Sequence, residues 1–124
     1  MLVLDLSEAY CAHVYSDGEI KPLFHATSEV PNKHKKGGQS AARFARQREN
    51  EITQWFKMIN EKLKTVPHEL HVSITFVYRN RFHNHLSTYN KEKIKRYDRH
   101  EYSGITGVYQ YVSLIEQEKQ GRVV

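Results

Sequence analysis

Gly37, Gly38 and Gln39 are the residues of this chain whose types and spacing most directly point to chemistry. The two glycines lack Cβ, so the backbone there can take angles closed to other residues and can approach a ligand closely. Gln39 adds an amide side chain and a backbone N–H. None of the three titrates, so none serves as an ordinary general base. A reaction at such a loop must rest on positioning a water and on hydrogen bonds to a developing oxyanion. The groups that move protons would come from the substrate or from a partner, which suits a factor that completes an active site built elsewhere.

The tripeptide alone carries little information, because a plain flexible loop before a helix can also hold Gly-Gly. Its frame is the informative part. Residues 31–48 read Pro-Asn-Lys-His-Lys-Lys-Gly-Gly-Gln-Ser-Ala-Ala-Arg-Phe-Ala-Arg-Gln-Arg. They carry Lys33, Lys35, Lys36, Arg43, Arg46 and Arg48, with His34 and no acidic residue, a charge of +6. The whole chain carries +5, so the remaining residues sum to −1. The basicity is therefore one local patch around the glycines. A neutral tip wrapped in cations suits a site made of phosphates.

The elements that must position this loop can be read from periodicity and turn chemistry. Residues 2–6, 9–15 and 20–27 read as strands, with Ser16-Asp17-Gly18-Glu19 as the hairpin turn between the second and third. Ser40 is a good N-cap for a long helix over 40–64. Ala41, Ala45, Ile52, Trp55, Ile59 and Leu63 fall on one stripe of it, with Phe44, Phe56 and Met58 widening or flanking that stripe. Cations in the first turns of a helix oppose its dipole, at about 0.3–1 kcal/mol each at low salt. A local rule broken in this way points to function, here a need for positive charge beside the loop. Leu70, Val72, Ile74, Phe76 and Tyr78 alternate, which predicts a strand over 70–78. A short helix over 81–90, a strand over 94–100, a turn at 104–107 and a final helix over 108–119 complete the order βββαβαβα.

At 124 residues, with 39% hydrophobic and 27% charged residues, the chain reads as one soluble α/β domain large enough for a core. The single cysteine, Cys11, precludes an internal disulfide and fits a reducing compartment. It alternates with apolar neighbours and reads as a small core residue rather than a nucleophile. The opening residues lack the pattern of a signal peptide. No apolar run approaches the ~20 residues of a membrane span. The expected location is cytoplasmic, with no membrane partner.

Residues 31–48 closely resemble the Gly-Gly-Gln loop and following helix of the eukaryotic and archaeal class 1 peptide chain release factors. That family typically reads Pro-Lys-Lys-His-Gly-Arg-Gly-Gly-Gln-Ser-Ala-x-Arg-Phe-x-Arg-x-Arg. Lys35 stands where the family usually has Gly, and Lys36 where it has Arg. Tyr102-Ser-Gly-Ile-Thr-Gly107-Val-Tyr-Gln110 resembles the Tyr-Gly-Gly-x-x-Gly-x-x-Gln turn before the family's last helix. The bacterial release factors also carry Gly-Gly-Gln, but with other flanks and another fold.

The resemblance implies that residues 1–124 form the family's middle domain, a mixed five-stranded sheet with flanking helices in a ribonuclease-H-like arrangement. It implies that Gly37, Gly38 and Gln39 enter the ribosomal peptidyl transferase centre and help a water attack the ester of peptidyl-tRNA. In that family the Gln backbone amide is thought to stabilise the reaction. Its side chain shapes room for the water and is often methylated, and the 2′-hydroxyl of the terminal adenosine supplies the proton chemistry. Lys33, His34, Lys35, Lys36, Arg43, Arg46 and Arg48 would then meet ribosomal RNA or tRNA. No cofactor is called for. The family's decoding domain, with its Asn-Ile-Lys-Ser motif, and its GTPase-recruiting domain have no counterpart in these residues. Release independent of the codon, as in ribosome rescue, is the expectation. The alternatives are a non-catalytic RNA-binding module and a subunit active only with a decoding or GTPase partner.

Other features have blander readings. The eight histidines lack the partners and spacing of a zinc site. Arg79, Arg81 and the run 91–99 form a second cationic cluster diluted by Glu92 and Asp98, which reads as a solvated face rather than a nucleic-acid surface. Asp5, Glu8, Asp17 and Asp98 make no evident metal-binding cluster of the nuclease kind. The tyrosines and Trp55 read as packing residues.

Overall fold

Leu2, Val3 and Leu4 are all buried, and a run without alternation belongs to a strand covered on both faces. These residues form β1 at the centre of the sheet. The computed structural model describes residues 1–31, 39–67, 69–99, 106–110 and 112–113. The further elements are β2 (Glu8–Val14), β3 (Ile20–Thr27), α1 (Gln39–Leu63), β4 (Leu70–Ile74), a 3₁₀ turn (Phe76–Tyr78), α2 (Arg79–Asn84), α3 (Thr88–Lys93) and β5 (Ile94–Arg99). The strand order is β3-β2-β1-β4-β5. β2 is antiparallel to β1 and β3, whereas β4 is parallel to β1 and to β5. This is the mixed five-stranded α/β sheet that the resemblance implied.

The hairpin forms as its Asp-Gly pair predicts. Gly18 has φ +90°, in the left-handed region that favours glycine. The Tyr15 N–H donates to the Glu19 carbonyl at 2.8 Å, and the Asp17 carboxylate accepts the Glu19 N–H at 2.9 Å.

Four boundaries differ from expectation, each for a local reason. β1 stops at Leu4 because the Asp5 carboxylate accepts the N–H groups of Ser7 and Glu8, turning the chain. β4 stops at Ile74 although the apolar alternation runs on to Tyr78. Ile74 is the last residue paired on both sides, with Leu4 of β1 and Arg99 of β5, so no ladder is left for Phe76. The single helix expected over 81–90 is two. Ser87 separates them, accepting the Asn90 N–H on its hydroxyl at 3.3 Å as the N-cap of α3. Thr106 and Gly107, expected in a turn, are helical, as are residues 108–110 and 112–113. His100, residues 104–105 and residues 114–119 lie outside the described residues.

Two apolar clusters make three layers. On one face Ile52, Trp55, Phe56, Ile59 and Leu63 of α1 pack on Leu2, Leu4, Cys11, Leu70, Val72 and Ile74. On the other, Val108 and Val112 of the helical segment cover Val3 and Ala12. Phe56, expected at the edge of the α1 stripe, is fully buried, and its ring meets Phe82 edge-on at 5.5 Å between centroids. Ala45, expected within the stripe, is exposed, and Ala41 is half-buried. Tyr15, Tyr89 and Tyr109 are also exposed rather than packed. Length explains Ala45: α1 has 25 residues, about 37 Å at 1.5 Å per residue, and outruns strands of three to eight residues. No helix among the described residues is long and apolar enough to cross a membrane.

Candidate functional site

The part of α1 that outruns the sheet is the part that bears the basic motif. From Ala41 onward, Ile52 is the first residue of the helix that is buried. Gln39, the first helical residue, lies 13 residues earlier, about 20 Å farther along the axis. Gln39 and Ser40 are both helical in backbone, so Ser40 sits inside the first turn rather than at the N-cap. Lys33, His34, Lys35, Lys36, Gly37 and Gly38 lie outside the described residues.

The three arginines of the helix are not equivalent. Arg43 and Arg46 are exposed on this projecting half. Arg48 is half-buried, and its Nε donates to the Pro31 carbonyl at 3.1 Å. That bond ties the chain before the basic segment to the helix after it. No acidic residue occupies the first turn of α1, so nothing there offsets the dipole or the arginines.

Side chains from other elements fasten α1 along its length. Arg81 of α2 grips it, donating to the Glu49 carboxylate, to the Glu49 carbonyl at 3.1 Å and to the Thr53 hydroxyl at 3.2 Å. The Trp55 indole donates to the Asp5 carbonyl at 2.8 Å. Buried Asn90 donates to the Asn60 carbonyl and side-chain oxygen, both at 2.8 Å, and that side-chain oxygen also accepts the Ser87 N–H. The Lys93 ammonium donates to the Leu63 carbonyl at 2.7 Å, capping the last turn. These contacts all fall on Glu49–Leu63, the half of α1 that packs on the sheet.

These contacts also sort the second cationic cluster. Arg81 and Lys93 serve α1, Lys95 pairs with Glu69 at 3.5 Å, and Arg96 pairs with Asp98 at 2.6 Å. Arg79 and Arg99 remain at the end of the sheet. Sequence reasoning grouped all of these by proximity in the chain. The signals that could have separated them, a buried asparagine and a lysine immediately before a strand, need a partner about thirty residues away to be recognised.

No other chemistry assembles among the described residues. No group of three metal-binding side chains forms. Asp5 holds its own turn, Glu8 meets His25 at 3.0 Å, Asp17 holds the hairpin and Asp98 meets Arg96. Cys11 is fully buried, and burial pushes its thiol up to about 11, the opposite of a nucleophilic cysteine. His85, under Phe56, has its pKa lowered by burial and then by the cations of Arg81 and Lys57.

The family model of the Actinobacteria/chloroflexi VLRF1 release factor matches residues 1–78, from β1 through the stalk to the 3₁₀ turn after β4. The peptide chain release factor subunit 1 of Archaeoglobus fulgidus is 41% identical over 61 residues, covering 49% of this chain. The aligned segment spans 15% of that relative's length.

Proposed function

This chain belongs to the Actinobacteria/chloroflexi VLRF1 release factor family, and on that premise we propose that it frees the nascent peptide from tRNA inside the ribosome. Gly37, Gly38 and Gln39 form the reacting loop, the stalk of α1 carries it, and the peptidyl transferase centre supplies the rest of the site. The observation that carries this proposal is the length of α1. Its basic N-terminal half runs for about 20 Å from Gln39 to buried Ile52, which fits a tip that must reach a recessed centre walled by RNA.

In the proposed reaction a water oxygen adds to the ester carbonyl carbon of peptidyl-tRNA. The backbone N–H of Gln39 donates to the oxyanion that forms, a neutral donor placed where charge develops. The bond from that carbon to the 3′-oxygen of the terminal adenosine then breaks. The water's protons pass to that leaving oxygen and to solvent, with the adjacent 2′-hydroxyl as the relay. The products are a peptide carboxylate and deacylated tRNA. Lys33, His34, Lys35, Lys36, Arg43 and Arg46 meet the phosphates, and Arg48 holds the base of the loop. No cofactor takes part. Acting on their own, residues 1–124 would release at any codon.

The test is peptide release from purified ribosomes holding labelled peptidyl-tRNA, with a sense codon, a stop codon or an empty A site. Equal wild-type release in the three cases, abolished by Gly38→Ala with the melting temperature unchanged, is the expected result. Full activity of Gly38→Ala would sink the assignment. Release only at a stop codon, or only after a decoding or GTPase partner is added, would replace codon-independent action by that dependence. Ribosome binding without release under any condition would leave a non-catalytic RNA-binding module.

A further inference from the structure

The end of the sheet holds a second surface that the stalk does not use. Phe76 and Val77 are 62% and 76% exposed on the 3₁₀ turn that follows β4. The Arg79 guanidinium carbon lies 5.3 Å from the centroid of the Phe76 ring, within the range of a cation–π pair. Beside this pair opens a cleft of about 560 Å³, lined by Ile74, Phe76, Arg79, Tyr97, Asp98 and Arg99. It sits at the carboxyl ends of the parallel strands β4 and β5, where open α/β sheets bind ligands. Its volume is that of a small-ligand site.

We propose that this cleft binds one unpaired nucleotide of a structured RNA, its base on Phe76 and its flanking phosphates on Arg79 and Arg99. The choice among ligands follows from the lining. A largely exposed aromatic ring with a cation over it matches a base stacked on the ring's open side next to its phosphate, and unstacked bases are what proteins read in single-stranded RNA. Tyr97 adds an aromatic ring to the lining, held in place by its hydroxyl, 2.8 Å from His83 Nδ1. A bare phosphate would leave the Phe76 ring unused. An acidic peptide would set its carboxylates against Asp98, whereas a base can donate an amino group to that acceptor. The choice of RNA over DNA rests on the functional proposal above; the nucleotide site itself does not.

Fluorescence anisotropy of a labelled short single-stranded RNA tests this on the full chain. A ribose-phosphate strand of the same length and charge without bases, and poly-glutamate, serve as comparisons. Phe76→Ala should weaken RNA binding about tenfold or more and leave binding of the abasic strand unchanged. Arg99→Ala should weaken both strands. Phe76 is exposed, so its variant should keep the wild-type circular dichroism, and Arg99→Ala gives an independent reading. Gly38→Ala should bind the RNA like the wild type, so this test and the release assay fail separately. Absence of saturable RNA binding by the wild type, a loss of less than about twofold in Phe76→Ala, or equal binding of poly-glutamate would each overturn the proposal.

Discussion

Two residues in this chain show how burial and geometry assign different fates to reactive groups. Gln39 cannot titrate, and in the proposed reaction its use would lie in where its backbone N–H is held. Cys11 can titrate, but it is packed at full burial beneath α1 between Leu2 and Phe24 in the strand pairing. Its thiol is held up to about 11, against about 9 in the open chain. The sign follows directly. Below pH 9 folded and unfolded chains both keep the proton, and the contribution to stability is constant. Between about pH 9 and about pH 11 the unfolded chain releases a proton that the native chain retains. Stability should fall there by up to about 1.4 kcal/mol per pH unit from this group. Urea denaturation of wild type and Cys11→Ala across that window checks it. The variant should lose the part of the slope that Cys11 supplies, and an unchanged slope would show that the thiol is not the titrating group. At pH 8 the native thiol should react with iodoacetamide far more slowly than the urea-unfolded one.

At the scale of elements, α1 is half core helix and half stalk, and Arg81 stands at the junction. Its contacts to Glu49 and Thr53 are partly exposed, so Arg81→Ala should cost less than about 1 kcal/mol of global stability. The local effect should be larger, because residues 45–51 have little else to hold them. Amide exchange in that segment should speed up several-fold, exchange in β1 and β4 should stay as it was, and release should fall several-fold. Unchanged exchange over 45–51 would mean that the helix holds its own line without the clamp. The junction also marks where the sequence stops being legible. The hairpin, β3, the long helix and the alternate burial of its lower half follow from turn chemistry and periodicity, which are local. The end of β4 does not, since Phe76 and Tyr78 keep the alternation and only the ends of β1 and β5 remove their partners. Nor does the exposure of Ala45, because a stripe at helical spacing says which residues share a face and not how far the facing sheet extends. The basic segment could be read as a candidate site because its residues are contiguous. Arg81, Asn60, Asn90 and Lys93 were not, because each works through a partner about thirty residues away.

For the whole molecule, charge and shape divide the labour. The segment 31–48 carries more positive charge than the entire chain nets, and the body beneath it is close to neutral. Cations concentrated in one segment of an otherwise near-neutral chain would, in the proposed function, draw that segment to RNA first and orient the molecule before contact. The larger part of the ionic-strength dependence of ribosome binding should therefore belong to residues 31–48. Each cation that neutralises a phosphate contributes about 0.7–0.9 to the slope of log K against log salt. Replacing both exposed stalk arginines, Arg43→Ala with Arg46→Ala, should lower that slope by about 1.4–1.8. Lys64→Ala at the far end of α1, where Lys64 pairs with Glu61 at 2.8 Å, should leave it unchanged. Co-sedimentation with ribosomes over a series of potassium concentrations gives both slopes. If the double variant keeps the wild-type slope, those arginines face solvent in the complex and that segment's hold on RNA must come from Lys33, Lys35 and Lys36. If Lys64→Ala lowers the slope as much as the double variant does, attraction is spread over the whole surface, and the orienting role of residues 31–48 fails with it.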